Sequence, residues 1–247
     1  MLRKRIITVL TFNEGVLFRT KVFSPDYRYT ANFIDAWSID EIVLLDITRP
    51  ERRDASQFFS VLNEFSQKCF VPLCVGGGVR TLDDIKRYLD LGADKIAINS
   101  MAIKQPSFIT SAAERFGSQC VVVSIDVKKE ANGYRVYGNC GRDPTIWAPE
   151  NMAQQAEMLG AGEILLTSID RDGSLEGYDN DLNSKVTKSV GIPVIVSGGA
   201  GKWQDFVDGF IVGGADAVGT TNIYHFTQTS IKSAKQYLIR RGLNVRL

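Results

Sequence analysis

Two similar stretches of sequence decide the fold. They are Val71-Pro72-Leu73-Cys74-Val75-Gly76-Gly77-Gly78 and Ile192-Pro193-Val194-Ile195-Val196-Ser197-Gly198-Gly199. Each is an apolar run that ends in glycines and is followed by a short helical pattern. A Gly-Ala-Asp triplet then follows in both, at Gly92-Ala93-Asp94 and at Gly214-Ala215-Asp216. The prolines of the two stretches stand 121 residues apart, about half of the chain, so the sequence repeats itself once.

The glycines after each apolar run predict an anion site. A glycine turn between a buried strand and the start of a helix points several backbone N–H groups at one place, which favours an anion, usually phosphate. Two such turns, half a chain apart, indicate a doubled barrel that holds a ligand with a phosphate at each end.

Short apolar runs alternate with helical patterns eight times. The runs are continuous in Val, Ile and Leu, as is typical of strands covered on both faces in a parallel sheet. We therefore predict one domain over residues 1–247, a (β/α)8 TIM barrel, because a barrel accepts two equivalent halves; an open doubly wound sheet is the alternative. The predicted strands are Arg5–Thr11, Glu41–Asp46, Phe70–Val75, Asp94–Asn99, Gln119–Asp126, Glu163–Ser168, Pro193–Ser197 and Ala215–Gly219.

Two long connections interrupt this alternation. Phe12–Ala31 follows the first strand, and Val127–Thr145 follows the fifth. The second connection contains Gly133–Gly138, which has the pattern of a hairpin. Both leave the C-terminal ends of strands, where the active sites of barrels are built, so we expect binding loops or lids.

Composition excludes several classes of protein. The formal net charge is +1, so there is no basic field for nucleic acid. No apolar run approaches the roughly 18–20 residues of a membrane span, and no signal-peptide pattern precedes the first strand, so we expect a cytoplasmic protein. The four cysteines show no CxxC spacing and the single histidine, His225, has a structural or loop-facing pattern. We therefore expect neither a metal site nor a cofactor.

Carboxylates follow several of the predicted strands. Asp126 ends the fifth strand, and the repeat places Thr11 at the matching position after the first strand. Two opposed carboxylates would form a general acid/base pair, but threonine cannot hold a proton near neutral pH, so half of such a pair is present. Asp46, Asp170 and Asp172 are further candidates at this rim, and for each of them a cap or turn role is an equally good explanation.

Charged residues stand at the opposite end of four strands. They are two cations and two anions, and if they point inward they form a ring that closes the barrel. Because this face of a barrel usually serves stability, the spacing alone favours a stabilising cluster of salt bridges. The four residues are Arg5, Glu41, Lys95 and Glu163.

Over nearly its whole length the chain resembles the cyclase subunit of imidazole glycerol phosphate synthase, of histidine biosynthesis. The matching stretches are Lys4-Arg5-Ile6-Ile7, Leu44–Thr48, Val75–Arg80, Ala93-Asp94-Lys95, Ile98-Asn99-Ser100, Arg115–Cys120, Gly160–Gly173, Ser197–Lys202 and Val245-Arg246-Leu247.

The resemblance implies a partner, a substrate and a set of roles. A separate glutaminase subunit would dock on the N-terminal face of the barrel, and its ammonia would pass a charged gate to a ribulosyl aminoimidazole carboxamide nucleotide with two phosphates. The gate would be the ring of four charged residues, and Asp126 would be one essential catalytic aspartate. The implied phosphate-binding residues are Gly78, Asn99, Ser100, Gly173, Gly199, Thr220 and Thr221.

The chain also departs from that family. Thr11 stands where the family has its other essential aspartate, Arg19 where it has a mobile-loop lysine, and Asn139 and Cys140 where it has a histidine and a glycine. A complete set of gate residues beside an incomplete pair of catalytic aspartates resembles a side branch of the family. The members of that branch are second copies of the cyclase subunit that are associated with surface-polysaccharide biosynthesis.

The complete gate and the incomplete catalytic pair lead to one expected function and two alternatives. We expect an ammonia-channelling, cyclase-like subunit of a two-protein glutamine amidotransferase that amidates a surface-polysaccharide sugar, together with a separate sugar amidotransferase. One alternative is the authentic cyclase of histidine biosynthesis, which converts the nucleotide to imidazole glycerol phosphate. The other is a non-catalytic partner that activates a glutaminase.

Overall fold

The computed structural model describes residues 3–29, 39–68, 70–220 and 231–246, with residues 19 and 24–29 described by their backbone alone. Twelve strands lie within these ranges. They are β1 (Arg5–Asn13), β2 (Val16–Lys21), β3 (Ser24–Tyr29), β4 (Glu41–Asp46), β5 (Leu73–Gly76), β6 (Lys95–Ile98), β7 (Val121–Glu130), β8 (Gly133–Gly138), β9 (Asp143–Pro144), β10 (Glu163–Ser168), β11 (Val194–Ser197) and β12 (Ala217–Thr220).

The described helices alternate with these strands and cover the outside of the sheet. They are α1 (Ala55–Lys68), α2 (Leu82–Asp90), α3 (Ser100–Lys104), α4 (Ser107–Phe116), α5 (Pro149–Met158), α6 (Asn180–Thr187), α7 (Trp203–Ile211) and α8 (Ile231–Arg240). Within the described residues, no helix is both long and apolar enough to cross a membrane.

Eight strands pair in parallel and close on themselves in the order β1-β4-β5-β6-β7-β10-β11-β12. The circle closes where Arg5 of β1 stands opposite Ala217 of β12. The predicted (β/α)8 barrel is thus confirmed, and the open doubly wound sheet is excluded. The predicted strands match the eight barrel strands to within a few residues.

Both long connections carry antiparallel strands at the C-terminal mouth of the barrel. β7 runs past Asp126 and pairs with β8. Gly133–Gly138, predicted to be a hairpin by itself, is a single strand, and the end of β7 is the other strand of the hairpin. The first connection also forms antiparallel strands, in which β2 pairs with the end of β1 and with β3; this is the first hairpin along the chain. The sequence predicts a binding loop or lid in that segment but no strands.

The core has two layers. The larger layer lies between the barrel and its helices and includes large buried side chains such as Phe58, Leu62, Ile85 and Phe206. The smaller layer fills the barrel interior, to which each of the eight strands contributes one buried residue. These residues are Ile7, Val43, Cys74, Ala97, Val122, Leu165, Ile195 and Ala217.

The aspartates of the two Gly-Ala-Asp triplets play the same structural part in both halves. Asp94 Oδ2 accepts a hydrogen bond from the backbone N–H of Leu73 at 2.8 Å, and Asp216 Oδ2 accepts one from Val194 at 3.1 Å. In each case the carboxylate satisfies the first N–H group of the preceding strand, which would otherwise lack a partner in the sheet. The sequence repeat therefore corresponds to a repeat of contacts.

Candidate functional site

The catalytic candidate Asp126 lies at the C-terminal mouth of the barrel. It stands opposite Thr167 of β10 in the sheet, and its Oδ2 accepts a hydrogen bond from Asn99 Nδ2 at 3.2 Å. Burial raises the pKa of Asp126 to about 7. The negative charge of Asp172 also raises this pKa, whereas a hydrogen bond with Ser124 lowers it. A carboxyl group with such a pKa can both give and take a proton near neutral pH.

Thr11, at the matching position of β1, is engaged in a structural contact. It pairs with Phe18 of β2 across the first hairpin, and its hydroxyl donates a hydrogen bond to the carbonyl oxygen of Phe18. The hydroxyl faces the same mouth as Asp126 but has no acid/base capacity near neutral pH. At residue 11 the mouth therefore carries a hydroxyl that is bound to the hairpin, and the expected half of an acid/base pair stays a prediction.

One of the two predicted glycine cradles is a cleft at this mouth. The cleft brings together the predicted residues Gly173, Gly199 and Thr220, with Thr11 at its edge, whereas Thr221 and His225 lie outside the described residues. At Gly198 and Gly199 the backbone has positive φ, +92° and +111°, and a side chain on either would overlap a backbone carbonyl. The residues that line the cleft are Val9, Thr11, Thr20, Asp172, Gly173, Ser197, Gly198, Gly199, Ala200, Gly219 and Thr220.

The other cradle lies across the mouth, at the ends of β5 and β6. Gly78 follows β5 with a φ of +71°, and Ser100 begins α3 directly after Asn99. The side chain of Asn99 is turned inward, because its Nδ2 donates to Ser124 O at 3.0 Å as well as to Asp126. Asn99 thus links this cradle to the catalytic candidate.

Asp172 holds the first hairpin over the mouth. Its carbonyl oxygen accepts from the N–H of Val22 at 3.1 Å, and its Oδ2 accepts from the N–H of Phe23 at 3.0 Å. Burial raises the pKa of Asp172, although the hydrogen bonds from Phe23 and Thr20 oppose this. Asp172 therefore joins the lid-like hairpin to the glycine cleft.

The remaining rim candidates serve local structure. Asp170 Oδ2 accepts from the backbone N–H of Lys129 at 2.7 Å, which ties β7 to the loop after β10. Asp46 Oδ1 accepts from the N–H of Thr48 at 2.8 Å, as in an aspartate turn. The backbone of Arg19 lies in β2 opposite Tyr27, and its side chain is outside the described part of the chain.

Arg53 is a residue of this region that the sequence analysis misses. Its Nε lies 2.8 Å from Asp46 Oδ2 in an ion pair, and its guanidinium group stands against Gly78 of the first cradle. The only sequence signal is a pair of arginines shortly after β4, and nothing in that pattern tells which way a long side chain points.

The four charged residues at the N-terminal end of the barrel form a closed ring. Arg5 contacts Glu41 at 2.7 Å and also contacts Glu163. Lys95 Nζ lies 2.9 Å from Glu41 Oε1 and 2.8 Å from Glu163 Oε2. Each cation thus touches both anions, and the apolar layer of the barrel interior lies between this ring and the mouth.

Burial and mutual contact set the ionisation of the ring. Burial alone would lower the pKa of Arg5 and of Lys95, but the two glutamates outweigh it and both pKa values are raised. Burial raises the pKa of Glu41 in spite of the nearby Lys95. Since removing one member would leave a buried charge without its partner, the ring is a single electrostatic unit.

No group of three Cys, His, Asp or Glu side chains in the described ranges is placed to bind a metal ion. The polar groups at the mouth include two carboxylates with raised pKa values, Asp126 and Asp172, and the N–H groups of two glycine cradles. Such an arrangement suits a phosphorylated ligand and proton transfer.

Comparison with known proteins agrees with this arrangement. Residues 8–230 match the family described as "Histidine biosynthesis protein". The imidazole glycerol phosphate synthase subunit HisF of Dehalococcoides mccartyi strain BAV1 is 44% identical over 254 residues, which cover 100% of this chain and 99% of the relative. HisF of Chlorobium limicola is 44% identical over 252 residues that cover both chains completely, and HisF of Natranaerobius thermophilus is 42% identical with the same coverage. The chain therefore belongs to the histidine biosynthesis family, among the imidazole glycerol phosphate synthase HisF subunits.

Proposed function

We propose that this chain is the cyclase subunit of an imidazole glycerol phosphate synthase. In this function it takes ammonia from a separate glutaminase subunit and joins it with a ribulosyl aminoimidazole carboxamide nucleotide, giving imidazole glycerol phosphate and an aminoimidazole ribonucleotide. The named relatives favour this function over the sugar amidation that the sequence analysis puts first, because nothing in them bears on a sugar. The observation that carries the proposal is the succession of ionic ring, apolar interior and Asp126 along one barrel.

The barrel interior suits ammonia better than ammonium. The layer above the ring contains aliphatic side chains such as Ile7, Val43 and Leu165, all buried. Moving an unpaired cation from water into such surroundings costs far more free energy than moving a small neutral molecule there. Passage needs one ion pair of the ring to open, and Lys95, with a flexible four-carbon stem, is the member best able to move.

At the mouth, Asp126 is the group that exchanges protons with the reacting ligand. Its pKa of about 7 is suited to general acid/base work at neutral pH. Asn99 orients the carboxylate by its hydrogen bond, and the two glycine cradles on either side hold the phosphates. Asp172, whose charge raises the pKa of Asp126, is the neighbouring carboxylate that could hold a second proton where Thr11 cannot.

The N-terminal face offers a surface for the glutaminase. Helices α5, α7 and α8 end at this face, and their last turns carry the exposed apolar residues Met158, Ile211 and Ile239, with Val212 following α7. Exposed apolar residues at this end of the barrel, around the charged ring, are typical of a surface that another protein covers. The partner would thus release ammonia at the outer side of the ring, opposite the barrel interior.

The proposal is tested by supplying the purified protein with ammonium salt and the nucleotide and measuring both products. Formation of imidazole glycerol phosphate in proportion to protein concentration supports it. Absence of product, both from this chain and from its Thr11→Asp variant, would contradict it.

A second candidate function rests on Thr11. Because the mouth lacks the aspartate of the family at this position, the ammonia could instead serve another acceptor, such as a surface-polysaccharide sugar on a separate amidotransferase. In that case the chain would stimulate glutamine hydrolysis by its glutaminase, while neither it nor Thr11→Asp would convert the nucleotide. A non-catalytic activator would give the same pair of results without delivery of ammonia to any acceptor.

A further inference from the structure

The two glycine cradles are equivalent in sequence but not in their surroundings. A side chain built on Gly78 of the first cradle would overlap Nη1 of Arg53. A side chain built on Gly199, the matching residue of the second cradle, would overlap the carbonyl oxygen of Gly177. A guanidinium group therefore faces one cradle where a carbonyl faces the other.

Arg53 is held so that one of its nitrogens is left for a ligand. Nη2 donates to the carbonyl oxygens of Asp46 at 3.1 Å and Thr48 at 2.7 Å, and Nε lies 2.8 Å from Asp46 Oδ2. Nη1, the nitrogen beside Gly78, has no hydrogen-bond partner among the described residues. Within the described part of the chain, Nε makes no hydrogen bond and contacts Asp46 only as an ion pair. Because a guanidinium is planar, this ion pair and the two hydrogen bonds of Nη2 together fix the direction in which Nη1 donates.

Asp46, the carboxylate that holds Arg53, is itself fixed in place. Asp46 is buried, and its other carboxylate oxygen, Oδ1, accepts from the N–H of Thr48 at 2.8 Å. The side chain of Arg53 is four-fifths buried, with 18% of its surface exposed. Little freedom is left for the guanidinium to lose when a ligand binds, which favours affinity.

The second cradle lacks a comparable cation. The described residues that line its cleft include no lysine or arginine, and they include the carboxylate of Asp172. Arg171 stands near Gly199, but its Nη1 is 3.2 Å from Glu176 Oε2 and its side chain is 39% exposed. Among the described residues, a phosphate dianion would thus meet only uncharged donors in the second cradle, the glycine N–H groups and nearby hydroxyls, and a charge-assisted donor in the first.

We propose that Arg53 is a ligand of the phosphate bound at Gly78, and that it makes the first cradle the stronger of two anion sites. The ligand class is a phosphate monoester or free phosphate. The inference rests on the proposed function in one respect, namely that a phosphorylated ligand binds at this mouth. Unequal cradles would give a bisphosphorylated ligand a fixed direction across the barrel, with Asp46 as the residue that positions Arg53.

The test is a titration of the 15N-labelled protein with inorganic phosphate, followed by NMR at the backbone amides of Gly78 and Gly199. Each amide reports the affinity of its own cradle. In the unaltered chain we expect tighter binding at Gly78 than at Gly199. In Arg53→Met we expect binding at Gly78 to weaken at least tenfold, whereas binding at Gly199 stays within twofold.

Two further variants make the result specific. Arg171→Met removes an arginine beside the second cradle and should leave the affinity at Gly78 unchanged. Arg53→Gln keeps an amide that can donate to Asp46 or Thr48 and removes the charge, so it should weaken binding at Gly78 as Arg53→Met does, and it serves as the test if Arg53→Met fails to fold. An unchanged affinity at Gly78 in the folded Arg53 variants would overturn the inference and leave the proposed function intact. If neither glycine responds in the unaltered chain, both the inference and the phosphorylated ligand of the proposed function are wrong.

Discussion

The hydroxyl of Thr11 donates a hydrogen bond to the carbonyl oxygen of Phe18, 2.5 Å away. This bond ties the last part of β1 to the hairpin that covers the mouth, at the position where the resemblance to the cyclase family implies an aspartate. Residue 11 therefore serves the attachment of the hairpin, and in the proposed function Asp126 is the acid/base group, at the end of the fifth barrel strand.

Replacing Thr11 with aspartate should restore the missing half of the pair. Since a positioned general acid or base contributes about 10²–10⁴-fold to a rate, we expect ammonia-dependent turnover of the nucleotide to rise by about 10²-fold. The matched control is Thr11→Ser, which keeps the hydroxyl and should leave turnover within about threefold. An equal rate for Thr11→Asp and Thr11→Ser would show that residue 11 takes no part in proton transfer.

The raised pKa of Asp126 predicts a pH-dependent change in stability. The carboxyl has a pKa of about 4 in the unfolded chain and about 7 in the folded chain. Between these values the folded state binds the extra proton, so this group makes folding less favourable as the pH rises from about 4 to about 7.

Asp126→Asn should therefore be more stable than the unaltered chain at pH 8 and not at pH 4. Because the carboxyl remains partly open to solvent at the mouth, we expect a gain of about 1–2 kcal/mol in the free energy of unfolding at pH 8. Urea denaturation of both proteins at the two pH values measures it. A difference that is the same at pH 4 and pH 8 would mean that the pKa of Asp126 is ordinary.

A buried ion pair attaches the last described helix to the barrel. Lys235 Nζ of α8 lies 2.6 Å from Asp40 Oδ1, with 3% and 7% of the two side chains exposed. Asp40 Oδ2 also accepts from the N–H of Ile6 at 2.8 Å. Lys235→Met leaves that carboxylate buried without its cation, so we expect a loss of about 3 kcal/mol in the free energy of unfolding.

Lys232 provides the matched control for this change, because it lies on the same helix and is exposed. Lys232→Met should alter the free energy of unfolding by no more than about 0.5 kcal/mol. Equal effects of the two variants in urea denaturation would show that the ion pair contributes nothing beyond helix propensity.

The ionic ring predicts a selective defect in Arg5→Ala. Arg5 contacts both Glu41 and Glu163, so its loss opens the ring and exposes the barrel interior to water at the docking face. With a glutaminase subunit present, glutamine-dependent product formation should fall at least tenfold relative to the rate of glutamine hydrolysis. Ammonia-dependent product formation, measured alone, should change by less than threefold. A parallel fall in both activities would contradict the role of the ring as an ammonia gate.

The barrel was predictable from the sequence because its eight strands are short continuous apolar runs that alternate with helical patterns, as is typical of strands buried on both faces in a parallel sheet. The first hairpin was not predictable, because β2 and β3 mix polar and apolar residues and project from the barrel. Its tip, Val22-Phe23, has positive φ at both residues, although neither is a glycine or an asparagine, the residues that usually indicate such a turn in a sequence. The contacts with Asp172 hold this tip, and they join segments 149 residues apart.

The candidate site was predictable in part for a related physical reason. Strand ends of a parallel barrel meet at one mouth, so Asp126, Asn99 and the glycines could be grouped from their places after strands. The direction of a side chain could not be derived in this way. Asp170 turned out to bind the backbone of Lys129, and Arg53 to reach over Gly78, through contacts that depend on loops rather than on strand register.

Asp126 is the centre of this account. Asp170 is its natural comparison, since the two rim carboxylates lie at the ends of the neighbouring barrel strands β7 and β10, and Asp170 binds the backbone N–H of Lys129. The most direct measurement is the ammonia-dependent turnover of the ribulosyl aminoimidazole carboxamide nucleotide by the unaltered chain, by Asp126→Asn and by Asp170→Asn. We predict measurable turnover for the unaltered chain, a loss of at least 10²-fold in Asp126→Asn, and turnover within about threefold in Asp170→Asn. Equal turnover in all three proteins would contradict the account.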